Sequence, residues 1–141
     1  MNKTKPLISF TDKVVSGMNR GHKIGYPTAN LKYFKNGKEL ETGVYVVTVK
    51  FNATLLQGVA NVGKALTFFE DTPRVDVHIL DFQGDLYGKS LTLNFWKKLR
   101  EVKQFRNEQE LIWQIEEDIE QARKFFEKHS NSKNGVFFSS T

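Results

Sequence analysis

Short β-branched and aromatic runs, each cut off by a turn signal, recur along this chain, and a helical period appears only once. Residues 44–51 read Val-Tyr-Val-Val-Thr-Val-Lys-Phe, residues 55–62 form a second run, and residues 90–96 read Ser-Leu-Thr-Leu-Asn-Phe-Trp. Residues 75–82 alternate, with Val75, Val77 and Ile79 on one face of an extended chain and Asp76, His78 and Leu80 on the other. Residues 10–16 are a weaker first run. Asn36-Gly37, Thr42-Gly43, Asn52, Gly63, Gln83-Gly84-Asp85 and Gly88 mark the turns. Several short strands at this spacing predict an antiparallel barrel or sandwich.

The single helical period lies in residues 108–128. Leu111, Ile112, Ile115, Ile119, Ala122, Phe125 and Phe126 recur at three- and four-residue spacing. Asn107 and Glu110 form a capping box, in which Asn107 accepts from one open amide and Glu110 reaches back to another. Acids gather early and Arg123, Lys124 and Lys128 stand late, which suits the helix dipole. The acidic run is expected to be the solvated face of an amphipathic helix whose apolar stripe packs on the barrel.

Charge divides along the same boundary. Residues 1–107 hold 17 basic and 9 acidic side chains, while residues 108–128 hold 3 and 7. A basic body favours an anionic partner, either nucleic acid or a phosphorylated small molecule. The length of 141 residues suits one domain, expected over residues 1–128, with the Ser- and Asn-rich residues 129–141 as a flexible tail. The absence of cysteine excludes a disulfide scaffold, cysteine-ligated zinc and thiol catalysis. No apolar run has the length of a membrane-spanning helix, and the N-terminus lacks the apolar stretch of a signal peptide. A cytoplasmic protein with no membrane partner is expected, acting as a monomer.

The most unusual segment runs from Gly17 to Asn30. Gly17, Gly21 and Gly25 recur every fourth residue, with Arg20 and Lys23 between them. Such a loop brings backbone amides close to phosphate oxygens, although a long turn needing positive φ angles reads equally well. Its spacing is not that of a Rossmann fingerprint, and Gly84 to Ser90 is one residue short of a P-loop. Thr28 and Asn30 stand two apart, so in an extended segment both side chains point the same way. They offer neutral oxygens to Mg²⁺, or cap a turn.

These residues closely resemble the riboflavin kinase family, which includes the kinase domain of bacterial riboflavin kinase/FAD synthetases. The resemblance rests on Gly25-Tyr26-Pro27-Thr28-Ala29-Asn30-Leu31, Gly43-Val44-Tyr45 and Gly58-Val59-Ala60-Asn61-Val62-Gly63. It continues through Val77-His78-Ile79-Leu80-Asp81-Phe82, Gly84-Asp85-Leu86-Tyr87-Gly88 and Lys98-Leu99-Arg100-Glu101, reaching Phe105 and the helix. It implies a mainly β fold, a six-stranded antiparallel Greek-key barrel with a C-terminal helix. It also implies transfer of the ATP γ-phosphate to the ribityl 5′-hydroxyl of riboflavin, giving FMN and ADP. Thr28 and Asn30 match the positions that hold Mg²⁺ and phosphates. Gly17, Arg20, Gly21, Lys23 and Gly25 match the flap over the nucleotide. Arg100, Glu101 and Phe105 match the flavin side.

The chain departs from the family's pattern at Asp76, where a Glu is usual and serves as the base, and at Leu66, where Pro is usual. Asp76 remains the expected base, with a reach shorter by one bond, ~1.5 Å. His78 is expected to be a structural hydrogen-bonding residue, His22, Arg74 and Lys89 to be solvated, and Trp96 and Trp113 to lie in the core or an interface. The three histidines are too scattered for zinc. Two other functions compete with the kinase. One is a non-catalytic or regulatory flavin- or nucleotide-binding module. The other is a nucleic-acid-binding barrel, which no aromatic–basic repeat in the strands supports.

Overall fold

The run from Val44 to Val49 is buried at every position because both of its faces are covered. Tyr45, Val47 and Val49 point into the barrel interior, where they meet Leu31, Ala60, Val62, Val75, Val77, Leu91, Leu93 and Phe95. Val44 and Val46 point outward, where they meet Val59, Ala122 and Phe126. An uninterrupted apolar run is what a strand covered on both faces requires.

The computed structural model describes residues 5–15, 25–32, 40–64 and 73–130. Its strands are β1 (Ile8–Lys13), β2 (Ala29–Lys32), β3 (Gly43–Phe51), β4 (Thr54–Lys64), β5 (Pro73–Ile79) and β6 (Ser90–Arg100), and its helix is α1 (Glu108–Ser130). The sheet order is β1-β6-β3-β4-β5-β2, and all pairings are antiparallel. Strands β3, β4 and β5 form a meander and β6 returns beside β3, which is a Greek key. The sheet curls until its edge strands meet, with Val15 N donating to Asn30 O at 2.8 Å. The expected Greek-key barrel is therefore present as a curled sheet.

Strand β2 was not among the runs expected from the sequence. Its four residues are too few to show a period, and its partner β5 fixes it, with Asn30 opposite Asp76 and Leu31 opposite Val75. Strand β5 stops at Ile79, short of the expected Phe82, because Asp81 turns the chain with a φ of 54°. Gly58 sits opposite Ile79, where a Cβ would stand 2.8 Å from the His78 carbonyl oxygen. Only glycine allows that approach.

The helix starts at the expected cap. Glu110 N donates to Asn107 Oδ1 at 2.9 Å. The return half of the box differs, since Glu110 Oε1 accepts from Arg106 N at 3.2 Å and not from the cap residue. Ala122 and Phe126 are buried, with Ile119 and Phe125 packed beside them. Trp113 is 62% exposed on α1, which excludes the core and leaves an interface as the place expected for it. One expectation needs correction. Asp118, expected on the solvated face, is buried because it falls on the apolar stripe beside Ile115 and Ile119 and pairs with Arg100. The helix runs on through Ser130, two residues into the expected tail; residues 131–141 lie outside the described ones.

Candidate active site

The inner face of β5 belongs to the core, and its outer face carries Arg74, Asp76 and His78. Strand register sets the neighbours of Asp76: Asn30 of β2 lies on one side and Asn61 of β4 on the other. Asn30 Nδ2 donates to Asp76 Oδ1. Arg74 Nε donates to the same oxygen at 3.3 Å, and Arg74 Nη2 donates to Asn30 Oδ1 at 3.2 Å. Burial pushes the Asp76 carboxyl up from its ordinary pKa, with Arg74 and Asn30 pulling it part of the way back. The result is a carboxylate made more basic by its surroundings, which suits proton abstraction.

His78 stands next along the same row. Its Nδ1 donates to the Pro27 carbonyl at 2.9 Å, so it pins the segment leading into β2, as the sequence reading expected. The Tyr26 ring meets the His78 ring edge-on at 5.5 Å, and the Tyr26 hydroxyl donates to Glu116 on α1 at 3.1 Å.

Two cavities lie on either side of this segment. One, of about 220 Å³, runs between the outer sheet face and α1. Asp76, Asn61, Thr28 and His78 supply its polar end, while Phe105, Leu111, Ile115 and Ile119 supply an apolar wall. The other, of about 310 Å³, opens at the barrel mouth between Pro27–Ala29 and Phe82–Leu86. Thr28 borders both.

The helix wall is fixed by an ion pair. Arg100 donates to Asp118 through Nε at 2.8 Å and Nη2 at 2.7 Å, a two-pronged pairing across β6 and α1. Gln114 Nε2 adds a third donor to Asp118 at 3.0 Å. Arg100 thus lines the cleft with its fork already engaged by Asp118.

Of the expected site residues, Thr28, Asn30, Asp76, Arg100 and Phe105 come together around this cleft. Glu101 does not line it, and pairs with Lys98 at 2.9 Å. Gly25 has a φ of 93° beside Tyr26 and borders a third opening next to His78, Asp81 and Phe82. Gly17, Arg20, Gly21, His22, Lys23 and Leu66 lie outside the described residues. Arg74, expected to be solvated, is bonded into the site despite an exposure of 43%. Asn61, Tyr26, Lys103 and Asp118 also border the cleft without having been singled out.

Among the described residues no three His, Cys, Asp or Glu side chains cluster to hold a metal. The donor set suits Mg²⁺ all the same. That ion is commonly held by one or two protein ligands together with substrate phosphates and water. The side-chain oxygens of Thr28 and Asn30 are the neutral donors such a site would use, and Asn30 Oδ1 already accepts from the Arg74 guanidinium at 3.2 Å.

Fold and site together define a curled antiparallel barrel in which Asp76 lines a cleft against the helix and Thr28 borders both that cleft and a second cavity at the barrel mouth. The family model Flavokinase, described as riboflavin kinase, matches residues 5–126. The chain belongs to the riboflavin kinase family. It is 34% identical over 116 residues to the bifunctional riboflavin kinase/FMN adenylyltransferase of Bacillus subtilis, covering 80% of this chain and 37% of that protein. The chain thus spans a little over a third of that curated relative. A solved Streptococcus pneumoniae structure, named a macrolide-efflux protein, superposes with a TM-score of 0.76 at 36% identity, covering 84% of this chain and 38% of the other. The riboflavin kinase of Trypanosoma brucei shares the fold at a TM-score of 0.61 and 24% identity, covering 94% and 91%. Among the described residues no helix is long and apolar enough to cross a membrane.

Proposed function

We propose that this protein transfers the γ-phosphate of ATP to the 5′-hydroxyl of the ribityl chain of riboflavin, giving FMN and ADP. The observation that carries the reading is Asp76, a carboxylate with raised basicity at the polar end of a cleft whose other wall is apolar. The flavin ring lies against Phe105, Leu111, Ile115 and Ile119, and the ribityl chain points to Asp76. Asp76 takes the proton of the 5′-hydroxyl, the hydroxyl oxygen bonds to the γ-phosphorus, and the bond to ADP breaks. Family membership supports this assignment, and Asp76 stands at the position where the resemblance puts a Glu base.

ATP occupies the cavity at the barrel mouth, with its phosphates directed past Thr28. By the family resemblance Gly17, Arg20, Gly21, Lys23 and Gly25 are assigned to binding those phosphates, and Arg100 holds the flavin side in shape through Asp118. Mg²⁺, held by Thr28 and Asn30 with the phosphates, supplies positive charge to the transferred group when bound. Positioning and charge neutralisation are most of what phosphoryl transfer asks of a protein. The reaction needs ATP, so the proposed compartment is the cytoplasm, with residues 1–128 working as one kinase module.

Incubation with riboflavin and Mg·ATP, followed by chromatographic detection of FMN, tests the reading. FMN formation that disappears with Asp76→Asn is expected. Riboflavin binding without FMN under any divalent metal would overturn it and leave a non-catalytic flavin-binding module.

A further inference from the structure

Arg74 bonds two of the site's groups at once. Its Nε reaches Asp76 Oδ1 at 3.3 Å and its Nη2 reaches Asn30 Oδ1 at 3.2 Å. Asn30 closes the triangle by donating its own Nδ2 to Asp76. Both donors fall on one oxygen of Asp76, and among the described residues no hydrogen bond reaches the other. The two ends of this triangle differ in freedom. Asn30 is 1% exposed and fixed in β2, whereas the Arg74 side chain is 43% exposed on a flexible stem.

An amide oxygen has two lone pairs, and the guanidinium takes up one of them. A divalent cation approaching the same oxygen meets the positive charge of a guanidinium nitrogen 3.2 Å away from it. Resting on the reading of Asn30 as a Mg²⁺ ligand, we propose that Arg74 is a built-in competitor of the divalent cation. Guanidinium and metal are alternative partners of Asn30 Oδ1, and one excludes the other.

Two consequences follow. A bare cation has to displace Arg74 with little help, because the protein offers it few ligands. A cation carried by the nucleotide brings phosphate oxygens of its own, and the displaced guanidinium swings into solvent. Metal binding is thereby coupled to nucleotide binding. This gives Arg74 an effect opposite in sign to that of a phosphate-gripping arginine. Removing a gripping arginine weakens Mg·nucleotide, whereas removing a competing one tightens the metal.

Mn²⁺ serves as the probe, titrated by paramagnetic relaxation of water protons with and without ADP, in the natural protein and in Arg74→Gln. Arg74→Gln is expected to tighten Mn²⁺ alone by about three- to tenfold, the factor one net hydrogen bond represents, and to shrink the gain from ADP. Unchanged or weaker Mn²⁺ binding in that variant overturns the proposal. Arg74→Lys, which keeps the charge but cannot span both partners, falls between the two if the proposal holds.

Thr28→Val and Asn30→Ala separate this failure from failure of the underlying reading. If both leave Mn²⁺ affinity at the natural level, the metal assignment is wrong and the proposal falls with it. If either weakens Mn²⁺ while Arg74→Gln does not tighten it, only the competition is wrong. Thr28→Val alone decides should Asn30→Ala not fold.

Discussion

The two faces of β5 obey opposite rules over the same seven residues. Inward, Val75 and Val77 are sealed from solvent within the apolar core. Outward, Arg74, Asp76 and His78 make specific polar contacts with other elements. The inner face gains from burial, at ~25 cal/mol per Å² of apolar surface. The outer face keeps a carboxylate whose charged form burial disfavours. One strand thus separates what holds the fold from what is proposed to do the chemistry, and substitutions on its two faces should fail differently.

The largest contrast comes from Asp76→Asn. Asn keeps the shape and loses the basicity, so kcat is expected to fall by roughly 10²- to 10⁴-fold, the usual contribution of a positioned base. Thermal stability at neutral pH should hold or rise slightly. A variant that unfolds would show that Asp76 belongs with the inner face after all.

The next effect lies across the cleft. Asp118 and Arg100 are a paired charge on the helix wall, with side chains 7% and 20% exposed. Asp118→Ala leaves the guanidinium without its partner, at a cost of about 3 kcal/mol, the low end for breaking a buried pair because Arg100 keeps some solvent. Urea unfolding measures the loss. Riboflavin KM should rise with it while the nucleotide KM holds, because only one cavity includes this wall. On the inner face, Val75→Ala removes two buried methyl groups and should cost about 2 kcal/mol. Its kcat should stay within a factor of two or so of the natural value, a silence that a change in chemistry would break.

The sequence made the two faces of β5 readable, because strict alternation from Val75 to Ile79 separates them without any knowledge of partners. It also carried the helix cap, through Asn107. Asp76 was legible as a polar position, and the family resemblance supplied its role. The companions of Asp76 were not legible. Asn30 and Asn61 flank it only through register between strands far apart in sequence. Arg74 looked like an ordinary surface cation although Asp76 follows it on the same strand face, because its second partner, Asn30, comes from register. Asp118 did leave a signal: an acid within the Ile115, Ile119 and Ala122 stripe must find a cation or pay for its burial. The mean acidity of residues 108–128 hid it.

A smaller effect follows from acidity. Burial raises the Asp76 pKa from its ordinary value, against the pull of Arg74 and Asn30. The base must be ionised to act, so the acid limb of kcat/KM should lie above that ordinary value, with rate falling as pH drops through it. The stability effect has the opposite slope. A carboxyl whose folded pKa is raised contributes stability below its unfolded pKa and loses it as pH rises through the folded one. The melting temperature of Asp76→Asn relative to the natural protein should therefore climb with pH over that window. A flat difference would mean that the outer face costs the fold nothing.

The smallest expected change concerns the tie between the two walls of the cleft. Tyr26→Phe removes one exposed hydrogen bond, to Glu116 at 3.1 Å, and leaves the ring seated on His78 at 5.5 Å. The hydroxyl borders the cleft but touches neither Asp76 nor Asn30. Its loss should loosen α1 over the flavin side and raise riboflavin KM by about two- to fivefold, the factor of a single solvent-screened bond. kcat should not move. If kcat falls and KM holds, the Tyr26 hydroxyl acts on the reacting groups, and the outer face of the sheet extends its chemistry one residue beyond His78.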